Sequence, residues 1–400
     1  MNTFKDTLEK CIADIIFYDK ENAIEKIVKT VFESILKSER DEFLSGQIGN
    51  KGNGYYERMA RSINKYFKLQ VPRDRLGLFK PVFLEIVKQQ ENQIQDLAFQ
   101  LYVKGLTTRD INNLLSEIYD KNLSPSSVSN ITKEFQKQRE YWQNRPLEKD
   151  YYFIYVDALF IPVRRDTVSK EAFYVVIGLK KDLKRDILGV YDIPMESSEG
   201  WREVFKDIKR RGVSNILMII ADGIQYLENV VREEFPRTKL QKCLVHKIRD
   251  ILLKVRHDHK KEIAEDFRAV FRLEDKYYSI DDGRLNLIDF INKWKKIYPF
   301  IKNKFKSEHI ENYFAYLSFP HQIQRMVYTT NWNERLNKGI RKTQSVRNSF
   351  PNVDSALNLV GAYLMDFEKR VYRYPVTSFI QIQDELDYML EICHQTHKNV

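Results

Sequence analysis

The chain has 400 residues, 43% hydrophobic and 30% charged, with 14 Gly and 11 Pro. This mixture belongs to ordered, helix-rich proteins of two or three folding units, and it excludes disordered and collagen-like classes. No stretch approaches the roughly 20 apolar residues of a membrane span, and charges interrupt the N-terminal segment where a signal peptide needs an apolar run, so a cytoplasmic protein without a membrane partner is expected. The formal charge of +10 makes a polyanionic partner plausible, and Cys11, Cys243 and Cys393 are too few and too scattered for a disulfide framework.

Along the chain, Ile24, Ile27, Val28, Val31, Phe32 and Ile35 recur at helical spacing over residues 23–45, giving an apolar stripe that docks on a core or pairs with a second subunit. Gly46 to Gly54 reads as a loop. From Ile86 to Tyr119 the pattern is helical, broken at Gly105-Leu106-Thr107, where Thr107 and Asp110 form a capping box for the next helix. Ser124-Pro125 opens another helix, with Val128, Ile131 and Phe135 on its apolar side. The two helices are either a plain hairpin or a helix-turn-helix over about 105–138. In the second case Ser126, Ser127, Ser129, Asn130 and Lys133 point toward a DNA groove. Residues 143–150 then serve as a linker.

Beyond it the periodicity becomes extended. Residues 151–157, 172–178 and 187–191 are aromatic and β-branched runs between polar turns, which predicts three consecutive strands. A helix over 198–211, a buried strand over 216–221 ending at Asp222, a helix, a strand near 239–244 and a further helix follow. That order is the one found in ribonuclease H-like folds, a mixed five-stranded sheet with helices. Residues 248–317 carry long amphipathic stretches with little strand signal, which predicts an all-helical insertion before the chain returns with Glu334 on another helix.

Asp157 interrupts one apolar strand and Asp222 directly follows another. A carboxylate in a buried strand must be paired or hold a metal, and two of them suit Mg²⁺ or Mn²⁺, whose remaining positions go to water and phosphate oxygens. A pair of such ions supports in-line displacement at phosphorus. The sequence shows no Ser-His-Asp or Cys-His arrangement and no Walker-type glycine loop that would offer another route. The third ligand predicted is Glu334, on a helix whose Lys338 and Arg341 follow it by four and seven residues. Cys243 and His246 are spaced as ligands, but no second pair completes a zinc site. A buried Cys beside a hydrogen-bonded His near the active centre is the expectation.

The pieces Val71-Pro72-Arg73-Asp74-Arg75, Lys104 to Arg109, Val156-Asp157-Ala158 with Arg164, Glu199-Gly200-Trp201, Lys209 to Gly212, Ala221-Asp222-Gly223, Gln241 to His246, Asn331 with Glu334, and Phe350-Pro351 stand in one order. Together they resemble the prokaryotic insertion-sequence transposases related to eukaryotic mutator elements, within the DDE superfamily, over about residues 50–365. Ile224-Gln225-Tyr226-Leu227 and Asp250 depart from that pattern, where the family usually has a small residue before Leu and an Asn after the His motif.

The resemblance implies a DNA transposase with Asp157, Asp222 and Glu334 as catalytic, metal-holding triad and two Mg²⁺ or Mn²⁺ ions as cofactors. Cys243, His246 and Asn331 would accompany the triad. The partners implied are double-stranded DNA, as terminal inverted repeats and target, and a second copy in a homodimer or higher oligomer. Basic and polar contacts to DNA are expected from Arg109, Ser126, Ser127, Asn130, Lys133, Arg164, Lys338, Arg341, Lys342 and Arg347. The domain plan is an N-terminal helical DNA-binding region (1–145), a ribonuclease H-like core in two parts (146–247 and 326–400) and the helical insertion (248–325). A ribonuclease H-like nuclease that cuts without joining, and a DNA-binding regulator that has lost cleavage, are the alternatives.

Overall fold

The computed structural model describes residues 23–395 except 47–48, 62–65, 119–124, 165–166, 194–196, 224–225, 306, 346 and 348. For 23–25, 60–61, 66–67, 86–95, 116–118, 125–132, 307–309 and 394–395 it describes the backbone only. The chain divides into two compact units, residues 1–134 and 135–400.

In the first unit, α1 (Ala23–Ser45) is followed by an antiparallel hairpin of β1 (Gly52–Arg61) and β2 (Tyr66–Asp74). The expectation of a helical region here is therefore corrected, because part of the supposed loop and the residues after it form strands. The reason the hairpin is silent in sequence is its small buried face. Leu69 and Val71 meet Leu36 and Leu84, with Val28, Phe32 and Phe83 packed around them, and the described side chains of β1 are mostly exposed. Asp74 closes the turn after β2, accepting from Asn50 Nδ2 at 2.8 Å and from the backbone N–H groups of Leu78 and Phe79.

Helices α2 (Val82–Val103), α3 (Thr108–Ile118) and α4 (Pro125–Gln143) follow. The capping box forms as read: Thr107 N–H donates to Asp110 Oδ2 at 2.9 Å and Asp110 N–H to Thr107 Oγ1 at 3.1 Å. The turn of the proposed helix-turn-helix, 119–124, lies outside the described residues, as do the side chains of Ser126, Ser127 and Asn130.

The second unit is built on a five-stranded mixed sheet whose strands lie in the order 185–192, 168–180, 150–164, 215–221 and 239–242. Strands β3 (Asp150–Arg164), β4 (Val168–Lys180) and β5 (Arg185–Asp192) form an antiparallel meander, and β6 (Asn215–Ala221) and β7 (Lys239–Lys242) run parallel to β3. Helices α5 (Ser198–Arg210) and α6 (Leu227–Glu234) cover one face, where Trp201, Phe205, Ile208, Val230 and Val231 pack on Ile154, Val156 and Ile219. The strand alternation sends Phe153, Tyr155 and Asp157 to the opposite face. There Phe153 meets Phe319 and Phe379, and Tyr155 stacks near Trp332 with ring centroids 4.6 Å apart.

Residues 144–149 are anchored to the second unit. Arg145 lies between Asp186 (2.6 Å) and Glu368 (3.1 Å), and Leu147 N–H donates to Arg211 O. Between β7 and residue 328 the described residues form helices only: α7 (Leu244–Leu252), α8 (His257–Val270), α9 (Ile280–Trp294), α10 (Phe300–Lys304) and α11 (His321–Val327), with two 3₁₀ turns. Phe267, Phe271, Phe290, Phe305 and Phe314 stack into an aromatic cluster among them. Then come α12 (Asn331–Gln344), α13 (Val353–Phe367) and α14 (Gln383–Gln395).

Candidate active site

Strand register assembles the centre. Val156 pairs with Ala221, and Ala221 with Lys242, so the next residues of three parallel strands, Asp157, Asp222 and Cys243, lie side by side. Carboxyl ends of parallel strands are where open α/β sheets place their ligands. Cys243 N–H donates to Ala221 O at 2.8 Å, and Cys243 begins α7, which puts His246 in its first turn. From the other side α12 begins after Thr330, and Glu334 occupies its first turn. The helix is held down by Asn333, whose Nδ2 donates to Val175 O at 2.8 Å.

Asp157, Asp222 and His246 present ligand atoms that all lie within 4.8 Å of one another. Glu334 is adjacent but outside that group. Its Oε1 lies 3.4 Å from His246 Nε2, and its carboxylate pairs with the Arg249 guanidinium on α7. His246 thus stands between two acids, with Nδ1 3.6 Å from Asp222 Oδ1. Thr330 Oγ1 contacts both His246 Nδ1 (3.3 Å) and the buried Cys243 sulfur (3.5 Å).

Asp157 is only 3% exposed. Burial pushes its carboxyl up to about 7, the charges of Asp222 and Glu334 add to this, and His246 opposes it. Burial works against a charge on His246, but Cys243, Asp222 and Asp157 outweigh it and raise the imidazole to about 9. The Cys243 thiol, which burial would raise, is brought below its ordinary value by His246 and Thr330. This donor set fits a hard divalent cation, because two aspartate oxygens lie close enough to share an ion and one of them sits where a lone negative charge is costly. Asp157, Asp222 and His246, with Glu334 beside them, are the residues that would hold it.

The other sequence-predicted residues spread more widely. Asn331 starts α12 and accepts from Thr329 Oγ1 at 3.2 Å. Lys338, Arg341 and Lys342 are exposed on α12, and Arg164 is exposed at the end of β3. Arg347 is half-buried, its guanidinium 5.5 Å from the Phe350 ring. Arg109 and Lys133 are exposed in the first unit. Asp250 pairs with Lys254 and Lys304.

Sequence reasoning missed three residues. Asn337 donates Nδ2 to Asp157 Oδ2 at 2.8 Å, Thr330 links Cys243 to His246, and Arg249 holds Glu334. Two signals were present: Arg249 follows His246 by three residues on one helix, and Asn333 and Asn337 repeat at i and i+4 on the face shared with Leu336 and Ile340.

Fold and site together define a mixed helix-and-sheet protein with an acidic, cation-suited centre at the carboxyl ends of parallel strands. The chain belongs to the Mutator family of transposases, whose family pattern matches residues 1–373. It is 27% identical over 371 residues to the transposase of insertion sequence element IS905 from Lactococcus lactis, covering 93% of each chain. It is 30% identical over 370 residues to that of IS1201 from Lactobacillus helveticus, covering 90% of this chain and 99% of the relative. With the transposase of IS256 in transposon Tn4001 from Staphylococcus aureus it shares 30% identity over 367 residues, 89% and 93% of the two chains.

Proposed function

We propose that the chain binds the terminal inverted repeats of a mobile element, cleaves DNA at the element's ends and joins the freed 3′-hydroxyl to target DNA, with Asp157, Asp222 and Glu334 as its catalytic acids. The observation that carries this is the meeting of Asp157 and Asp222 just beyond the last parallel pair of β3 and β6, Val156 with Ala221, with ligand atoms close enough to share a cation. Two bound Mg²⁺ or Mn²⁺ ions would supply the activation of the attacking oxygen and the stabilisation of the leaving one. The residues' own task is to hold three acidic groups in one place. Strand register fixes Asp157 and Asp222, and α12, pinned through Asn333, brings Glu334 alongside. Arg249 and His246 hold Glu334 next to the two aspartates. Lys338, Arg341 and Lys342 follow Glu334 on the exposed side of α12, where they would grip phosphates.

In this reading the five-stranded sheet with α5, α6 and α12 is a ribonuclease H-like core, formed by 146–247 and 326–400, and 248–325 is a helical insertion. The helices of about 105–138 would contribute to binding the element's ends, and a homodimer or larger assembly would bring two ends together.

The test is a Mg²⁺-dependent assay on labelled DNA carrying the element's ends, with Asp157→Asn, Asp222→Asn and Glu334→Gln. Each should abolish strand transfer and retain DNA binding. Full joining by any of them refutes the assignment of that residue. Cleavage without joining by the unsubstituted protein would show a nuclease instead.

A further inference from the structure

The buried side of α12 carries two asparagines one turn apart, Asn333 and Asn337, both 0% exposed. A buried amide left short of hydrogen bonds is costly, so two of them at core positions call for a physical reason. Asn333 donates Nδ2 to Val175 O, and its Oδ1 has no partner among the described residues. Asn337 donates Nδ2 to Asp157 Oδ2 at 2.8 Å and lies 3.5 Å from Ala158 O, while its own buried Oδ1 has no partner among the described residues. Turning the amide over would set its oxygen against a carboxylate oxygen, acceptor against acceptor. The orientation that leaves Oδ1 unpaired is thus the one that serves Asp157.

We propose that Asn337 is a positioning residue for the metal-holding carboxylate of Asp157, occupying Oδ2 so that the plane of the carboxylate is fixed and Oδ1 is left as the ligand oxygen. The inference rests on the reading of Asp157 as a metal ligand. Asn337, buried behind the aspartate, acts through Asp157. Its effect is that of an outer partner that orients a ligand, a role whose loss typically weakens metal binding about 10- to 100-fold. Helix α12 then brings two groups to the centre, Glu334 from its first turn and Asn337 three residues later, 180 residues away in sequence from the aspartate it holds.

The experiment uses the full chain. Mn²⁺ binding is followed by the loss of the free-ion paramagnetic resonance signal in the wild type, Asn337→Leu, Asn337→Ser and Asp157→Asn, with thermal unfolding in EDTA as the control for folding. Asn337→Leu keeps the branching of the side chain without its polar atoms, and Asn337→Ser, which is smaller, serves if the leucine variant does not fold. The expected result is Mn²⁺ binding weakened about tenfold or more in the asparagine variants, with joining activity recovered at higher Mg²⁺. A folded variant that binds Mn²⁺ like the wild type, while Asp157→Asn loses the ion, overturns the role of Asn337 alone. Unchanged binding in Asp157→Asn overturns the ligand assignment beneath it.

Discussion

Replacing Asp157 with Asn is expected to stabilise the metal-free protein at neutral pH while destroying its metal response. The buried carboxyl stands at about 7 against an ordinary 3.8, so the folded state keeps a proton that the unfolded chain releases. Where the folded state binds more protons, stability falls as pH rises. The wild type should therefore lose stability from about pH 4 to pH 7, by an amount on the order of 4 kcal/mol at most, from roughly 1.4 kcal/mol per pH unit of displacement. Asparagine carries no charge, and its amide oxygen still accepts from Asn337 Nδ2, so that loss is absent.

The assay is thermal or urea unfolding of both proteins in EDTA at pH 5 and pH 7.5, repeated with Mn²⁺ at pH 7.5. The variant should match or trail the wild type at pH 5, exceed it by a few degrees at pH 7.5 without metal, and fall behind once Mn²⁺ stabilises the wild type by mass action. The comparison goes no higher than pH 7.5 because the raised imidazole of His246 gives stability that is complete below pH 6.5 and lost as pH climbs through about 9. Equal pH dependence of the two proteins in EDTA would refute the reasoning.

Three further expectations follow from particular residues. Gly212 has φ +122° and an added Cβ would lie 2.9 Å from Leu147 O, so Gly212→Ala should destabilise the second unit by about 1–3 kcal/mol, measured by urea unfolding; an unchanged midpoint would contradict it. Thr107→Ala removes the cap of α3 at a cost of about 1 kcal/mol, which should lower hydrogen-exchange protection of the first-turn amides roughly fivefold. Lys338→Ala with Arg341→Ala should weaken DNA binding to a similar degree for all sequences and reduce the salt dependence by about one ion for each phosphate the two side chains neutralise. An unaltered salt slope would remove α12 from the DNA-binding surface.

Much of the second unit was legible in the sequence because its signals are local. The runs around Tyr151–Asp157, Phe173–Gly178 and Ile216–Ala221 are too apolar and β-branched for anything but buried strands, and an aspartate at the end of two of them stands out against that background. The capping box at Thr107 and Asp110 is likewise written in four consecutive residues. The β1–β2 hairpin was not legible, since β1, Gly52-Asn53-Gly54-Tyr55-Tyr56-Glu57-Arg58-Met59-Ala60-Arg61, has no apolar–polar alternation and its described side chains are mostly exposed. The linker could be read, but not its anchoring through Arg145, whose partners Asp186 and Glu368 are 41 and 223 residues away.

The sequence by itself determined the strands of the second unit's sheet and set Asp157 within one of them and Asp222 directly after another. Tertiary structure decided what surrounds those acids: His246 between Asp222 and Glu334, Arg249 on Glu334, and Asn337 on Asp157. The physical reason is that backbone pattern follows short-range sterics and burial, whereas a carboxylate's partners come from whichever elements the sheet order and helix packing bring beside it.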